Sequence, residues 1–133
     1  MQAERTEVLV VGAGQAGIAM SAHLTRLNIP HLVVERDRIA GRWRSARWDS
    51  LVANGPAWHD RFPGMDFTTC GPDDFPAKED VADYFEAYAR MIAAPVRCGV
   101  EVISVVQGAQ GFQVETSAGP IAARVLGSAT GPF

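Results

Sequence analysis

Three glycines, Gly12, Gly14 and Gly17, fall in the six residues that separate a short apolar run from a stretch of helical periodicity. Val8-Leu-Val-Val11 is rich in β-branched residues and bounded by glycine, as expected of a strand buried on both faces of a parallel sheet. From Gln15 to Leu27 apolar residues recur at helical spacing, with Ile18, Ala22 and Leu24 toward one side. Asn28 tolerates the left-handed cap and Pro30 cannot continue a helix, so the helix stops there. His31-Leu-Val-Val34 then reads as a second buried strand ending at Glu35. Strand, helix and strand in about thirty residues make a βαβ unit, which must be parallel and right-handed.

A G-x-G-x-x-G sextet is a weak signal alone and a strong one between such a strand and helix, with an acidic residue closing the next strand. Gly12 permits the tight turn, Gly14 lets the backbone approach a pyrophosphate, and Gly17 lets helix and strand pack closely. The helix N-terminus, with Gln15 and Ala16, then faces the phosphates. Glu35, followed by Arg36, stands where a carboxylate accepts hydrogen bonds from the adenosine ribose. It would repel a 2′-phosphate, so the site suits FAD or NAD and not NADP. The plainer alternatives are a tight turn with no ligand and a solvated carboxylate at a strand end.

Residues 36–76 carry abundant Arg, Gly, Pro and Asp with little periodicity and read as mostly loop. Trp43, Trp48 and Trp58 all lie there, which argues for an ordered, ligand-lining segment. Glu79 to Ala94 reads as a helix, because Val81, Tyr84, Phe85, Tyr88, Met91 and Ile92 follow helical spacing. Pro95 ends it. The remainder reads as strands at Val100–Val106, Gly111–Thr116, Ile121–Ala123 and Val125–Ala129. Val125–Ala129 is apolar throughout, so burial on both sides is expected.

A net charge of −3 gives no electrostatic reason to expect nucleic acid or an anionic membrane as partner. Cys70 and Cys98 are in no metal or redox spacing, and two buried free thiols in a reducing compartment are expected. The N-terminus is too polar for a signal peptide and no apolar run is long enough to span a bilayer, so the expected location is cytoplasmic. His23 and His31 read as structural, and His59 with Asp60 as surface residues.

Arg38-Ile-Ala-Gly41-Arg42-Trp43-Arg-Ser45 resembles the R-x-G-G-R-x-x-S/T stretch of FAD-binding oxidoreductases, with Ala40 in place of the first glycine. Gly41-Arg42-Trp43 is also similar to the G-x-W element of class B flavin-dependent monooxygenases. Ser50-Leu-Val-Ala-Asn54-Gly-Pro56, then Phe62-Pro-Gly-Met-Asp-Phe67, resemble the S-L-x-x-N-x-P and F-P-x-x-x-F segments of flavin-containing monooxygenases. Asp83-Tyr-Phe-Glu-Ala-Tyr-Ala89 is similar to their D/E-Y-L-x-x-Y-A helix, and Ala129-Thr130-Gly131 matches the A-T-G motif where the FAD domain gives way to the NADPH domain. The resemblance covers nearly the whole chain and the N-terminal portion of a family member.

That resemblance implies a Rossmann-like α/β fold: a parallel FAD-binding sheet on 7–11, 31–35 and 125–129, with helices and a small antiparallel β-meander from roughly 100–123. It implies FAD as cofactor, NADPH in the complete enzyme, and a small-molecule substrate. In the family NADPH reduces the flavin, and O₂ adds at the flavin C4a to give a hydroperoxide. Asn54 carries over as the amide donor beside the flavin ring. Gly41, Arg42, Trp43, Trp48, Val102, Ala129, Thr130 and Gly131 join the cofactor-binding set. No metal ligand is expected.

No second G-x-G-x-x-G follows, so residues 1–133 read as one FAD-binding domain without an NADPH-binding domain, a fragment whose partner is that missing domain or a second copy. A disulfide reductase shares the opening βαβ, but the sequence has no C-x-x-C or C-x₄-C. A dinucleotide-binding module without catalysis is the reading from a different class.

Overall fold

The computed structural model describes residues 3–45, 61–62, 64–68 and 71–130. In chain order these form β1 (Glu4–Val11), α1 (Gln15–Arg26), β2 (His31–Glu35), α2 (Gly41–Ser45), α3 (Lys78–Met91), β3 (Val96–Cys98), β4 (Val102–Gly108), β5 (Gly111–Thr116) and β6 (Gly119–Ser128). Among the described residues the strands make one six-stranded sheet of order β3-β2-β1-β6-β5-β4. The first four in that order are parallel, and β6, β5 and β4 are antiparallel neighbours.

The expected α/β architecture with its meander is therefore present, and its strand boundaries differ in instructive ways. The runs 121–123 and 125–129 join, up to Ser128, in a single ten-residue strand, β6, that pairs with β5 at its start and with β1 along its length. Its length explains why β1 begins at Glu4: Glu4, Arg5 and Thr6 pair with Ile121, Ala122 and Ala123, so backbone hydrogen bonds extend the strand into a polar sequence. β3 was not legible, because three residues after a proline carry no period of their own.

Burial of Val125–Ala129 on both sides does not hold. Val125 is 51% exposed although β6 lies inside the sheet between β1 and β5. Helix α1 packs over β1 and β2, and its Met20 reaches Gly127, so its cover stops short of Val125. The expectation of buried thiols fails at Cys98, which is exposed at the end of the edge strand β3. Cys70 lies outside the described residues.

Alternation along the strands sends their side chains into two cores. Val8, Val10 and Val33 pack with Ile18 of α1, with Val81, Tyr84, Phe85 and Tyr88 of α3, and with Phe62. Leu9 and Val34 instead gather with Val100 and with Val114, Ile121 and Ala123 of the meander. The α3 stripe ends a turn early: Met91 is 53% exposed, and Ala93 turns the chain out at φ 53° ahead of Pro95. Asn28 takes the left-handed conformation expected of it, at φ 58°. On α1 the buried side includes Ser21, whose hydroxyl meets His31 Nε2 at 2.8 Å, while His31 Nδ1 lies 2.9 Å from the Ile29 carbonyl. His31 is thus structural, and His23 is exposed.

Candidate functional site

Because β1, β2, β3 and β6 run parallel, their carboxyl ends meet at one edge of the sheet, where open α/β folds bind ligands. The glycine turn leaves β1 there. Gly12 has φ 110°, and its N–H donates to the Val34 carbonyl at 2.8 Å. A β-carbon on Gly12 would overlap the Ala129 carbonyl, and one on Gly17 would overlap the Gly12 carbonyl. Gly14 differs. Its backbone is extended, at φ −87° and ψ −157°, and a β-carbon there would meet no described atom within 4 Å. No described residue requires a glycine at 14, and the open space lies at the N-terminus of α1, where no side chain caps the helix among the described residues. Gln15 and Ala16 are exposed in that first turn.

Glu35 closes β2 beside the turn. Its Oε1 accepts the Ala13 N–H at 2.9 Å and its Oε2 accepts the Asp37 N–H at 2.8 Å. Each oxygen keeps further acceptor capacity. The Ala13 carbonyl in turn accepts the Ala40 N–H at 2.9 Å, so the glycine turn, Glu35 and the approach to α2 are tied together. Ala40 is buried at φ 58°, a left-handed position that glycine occupies without strain, which accounts for the glycine in the motif it departs from.

Other expected residues converge on the same edge. The Ala129 N–H donates to the Val11 carbonyl at 2.8 Å, so Ala129 abuts the glycine turn, and Thr130 is exposed beyond it. The Val100 N–H donates to the Glu35 carbonyl at 2.9 Å, and Val102 follows at the start of β4, partly buried against the core on the meander side. Arg36 is exposed, and Gly41 is buried at the start of α2. The Trp43 ring packs edge-on to Phe85 of α3, centroids 6.2 Å apart, so part of it belongs to the core. Asn54, Trp48, Trp58, His59, Asp60, Gly131 and the Arg42 side chain lie outside the described residues.

Sequence reasoning missed Ala13, whose two backbone groups join Glu35 to Ala40, and Tyr84. The Tyr84 hydroxyl accepts the Phe62 N–H at 2.6 Å and donates to the Met65 carbonyl at 2.6 Å, pinning the loop that follows residues 46–60. Burial, the largest influence, pushes this phenol up from its ordinary value. Glu79, Asp80 and Asp83 suit the positive N-terminal end of α3, as their positions in the sequence imply, but their pairing with Arg44, and the part of Glu86, were not legible there. A cavity of about 560 Å³ opens elsewhere, among Arg5, Glu7, Phe112 and Arg124, away from the glycine turn.

A glycine turn at a helix N-terminus, a carboxylate closing the adjacent strand and a third parallel strand end define the crevice of a dinucleotide-binding α/β domain. Residues 9–133 match the family model described as pyridine nucleotide-disulphide oxidoreductase. The chain belongs to that family. It is 41% identical to an uncharacterized CzcO-like oxidoreductase of Geobacillus kaustophilus, over 96% of this chain and 36% of that protein. A flavin-containing monooxygenase from Stenotrophomonas maltophilia superposes with a TM-score of 0.85 at 28% identity, over 96% of this chain and 38% of that one. The bacillithiol disulfide reductase of Staphylococcus aureus superposes with a TM-score of 0.86 at 17% identity, over 96% and 39%, a likeness of fold alone. The chain thus spans little more than a third of these relatives' length. No described helix is long and apolar enough to cross a membrane.

Proposed function

We propose that residues 1–133 are the FAD-binding domain of a flavoprotein oxidoreductase of the monooxygenase type, which works with an NADPH-binding domain. The carrying observation is Gly14: packing accounts for Gly12 and Gly17, whereas no described residue occupies the space beside Gly14 at the N-terminus of α1. A pyrophosphate suits it, with the α1 amides and dipole opposite the anionic oxygens. Glu35 suits free ribose hydroxyls, which favours FAD over NADP. Bound there, the flavin would supply the redox and oxygen chemistry. This chain's residues would hold the dinucleotide and shape the water-poor wall of the pocket, with Asn54 as the amide donor beside the flavin.

The monooxygenase type is favoured because the G-x-W element and the segment carrying Asn54 are present in the sequence. An exposed free thiol at Cys98 suits a reducing, cytoplasmic location. The substrate is a small molecule. The test is the absorption spectrum of the purified protein, with release and chromatography of its nucleotide. FAD is the expected result; bound NAD, or no nucleotide after incubation with FAD, would overturn the reading.

A further inference from the structure

The arginines after β2 are not equivalent. Arg38 and Arg44 turn to α3: Arg38 Nε donates to Glu86 Oε1 at 3.1 Å, and Arg44 donates to Glu79 Oε2 at 2.9 Å and Asp83 Oδ1 at 2.5 Å. Arg44 Nη2 also lies 3.5 Å from Glu86, so Glu86 bridges both arginines. The side chains of Arg44 and Glu86 are only 19% and 21% exposed, so their pair is screened less than an ordinary surface pair, whereas Glu79 and Asp83 are 55% and 61% exposed and act through the mostly buried fork that joins them. Lys78 Nζ adds a contact to the Arg44 carbonyl at 3.4 Å.

At its other end the same segment is tied to the glycine turn by the Ala40 N–H. A five-residue helix has little stability of its own, so α2 stays where these attachments and the packing of Trp43 on Phe85 hold it. One planar guanidinium fork reaches two carboxylates on successive turns of α3, which a lysine's point charge does less well.

We propose that Arg44 is a positioning residue for FAD: its ion pairs with Glu79 and Asp83, beside the Arg38–Glu86 pair, fix α2 on α3 and set the Gly41-Arg42 backbone at the spacing from the glycine turn that the pyrophosphate requires. The proposal rests on the FAD reading above. Arg44 itself does not touch the cofactor, since its fork is committed to α3. It answers why a segment rich in arginine keeps some of them off the phosphates: two anchor the element, and the anion is left to its backbone.

The experiment is FAD titration of the purified protein followed by flavin fluorescence, with circular dichroism and melting temperature as controls. Arg44→Glu should weaken FAD binding about tenfold, and adding Asp83→Arg to it should restore affinity to within about threefold. Arg44→Lys, a milder change that keeps the charge and loses the fork, should weaken FAD severalfold with the fold intact. If Arg44 contacts the pyrophosphate directly, the reversed pair will bind as poorly as Arg44→Glu, and the proposal is wrong. Unchanged affinity in Arg44→Lys also overturns it. Failure of the unaltered protein to bind FAD removes the FAD reading and this proposal together, whereas normal binding by every variant removes this proposal alone.

Discussion

Gly17 lies against Gly12 so closely that a β-carbon on Gly17 would overlap the Gly12 carbonyl oxygen, and this contact sets how near α1 can lie to β1. Gly17→Ala must therefore push the helix off the strand, at a cost of about 1–3 kcal/mol by analogy with overpacked cores. Gly14→Ala meets no described atom within 4 Å and should leave the melting temperature within a few degrees. A larger side chain, as in Gly14→Val, should fill the space and weaken FAD binding. Thermal melts and FAD titrations of both variants check the division; equal destabilisation by the two alanines would contradict it.

Glu35 should govern the choice of dinucleotide. Its carboxylate is fixed by the Ala13 and Asp37 amides at 2.9 and 2.8 Å. Losing charge-assisted hydrogen bonds costs about 1.5–3 kcal/mol, so Glu35→Ala should weaken FAD by roughly ten- to a hundredfold. Competitive titration of the unaltered protein should favour FAD over NADP, and equal or tighter NADP affinity would refute the assignment.

Tyr84→Phe keeps the ring stacking on Phe67 at 4.0 Å and removes the hydroxyl that satisfies Phe62 and Met65. A loss of about 1–3 kcal/mol follows for the groups left unsatisfied. The folded-state pKa of Tyr84 is raised above the usual 10.0, chiefly by burial. Folding therefore favours the neutral phenol. That contribution is fully present below pH 10 and is lost as pH climbs through the raised value. Denaturant melts from pH 8 upward should show a shallower alkaline decline in Tyr84→Phe than in the unaltered protein.

Ile103 and Val106 are 69% and 64% exposed on β4, an edge strand, and Val125 is 51% exposed on β6. An uncharged β-branched edge invites pairing with another chain. The isolated chain should self-associate, and Ile103→Lys with Val106→Lys should shift it toward monomer in sedimentation velocity. A monomeric unaltered chain at high concentration would dismiss this.

Asn54→Ala, placed in a protein that joins this domain to an NADPH-binding domain, should leave FAD binding and flavin reduction largely unchanged. It should divert consumed O₂ to hydrogen peroxide. A water-excluded hydrogen bond of this kind contributes more than one in solvent. The ratio of peroxide to oxygenated product per NADPH consumed is the measurement; a ratio that does not move makes Asn54 a turn residue.

The βαβ unit was legible in the sequence because its signals are local. Val8–Val11, the glycine sextet, Asn28 and Glu35 each constrain a few neighbouring dihedrals or one strand end, and each stands where the pattern puts it. Periodicity likewise locates α3 and the hairpin strands β4 and β5. What pairs with what across the chain is another matter. That β6 joins meander and parallel sheet as one strand and that Glu4–Thr6 enter the sheet depend on backbone pairing between distant segments, and that Val125 stays half exposed depends on where the cover of α1 ends. Which arginines hold α2 depends on α3, more than thirty residues away, bringing Glu79 and Asp83 under Arg44. Local sequence chooses backbone conformation; only the packed fold chooses neighbours, because side-chain ion pairs and burial are settled by distances that no residue spacing encodes.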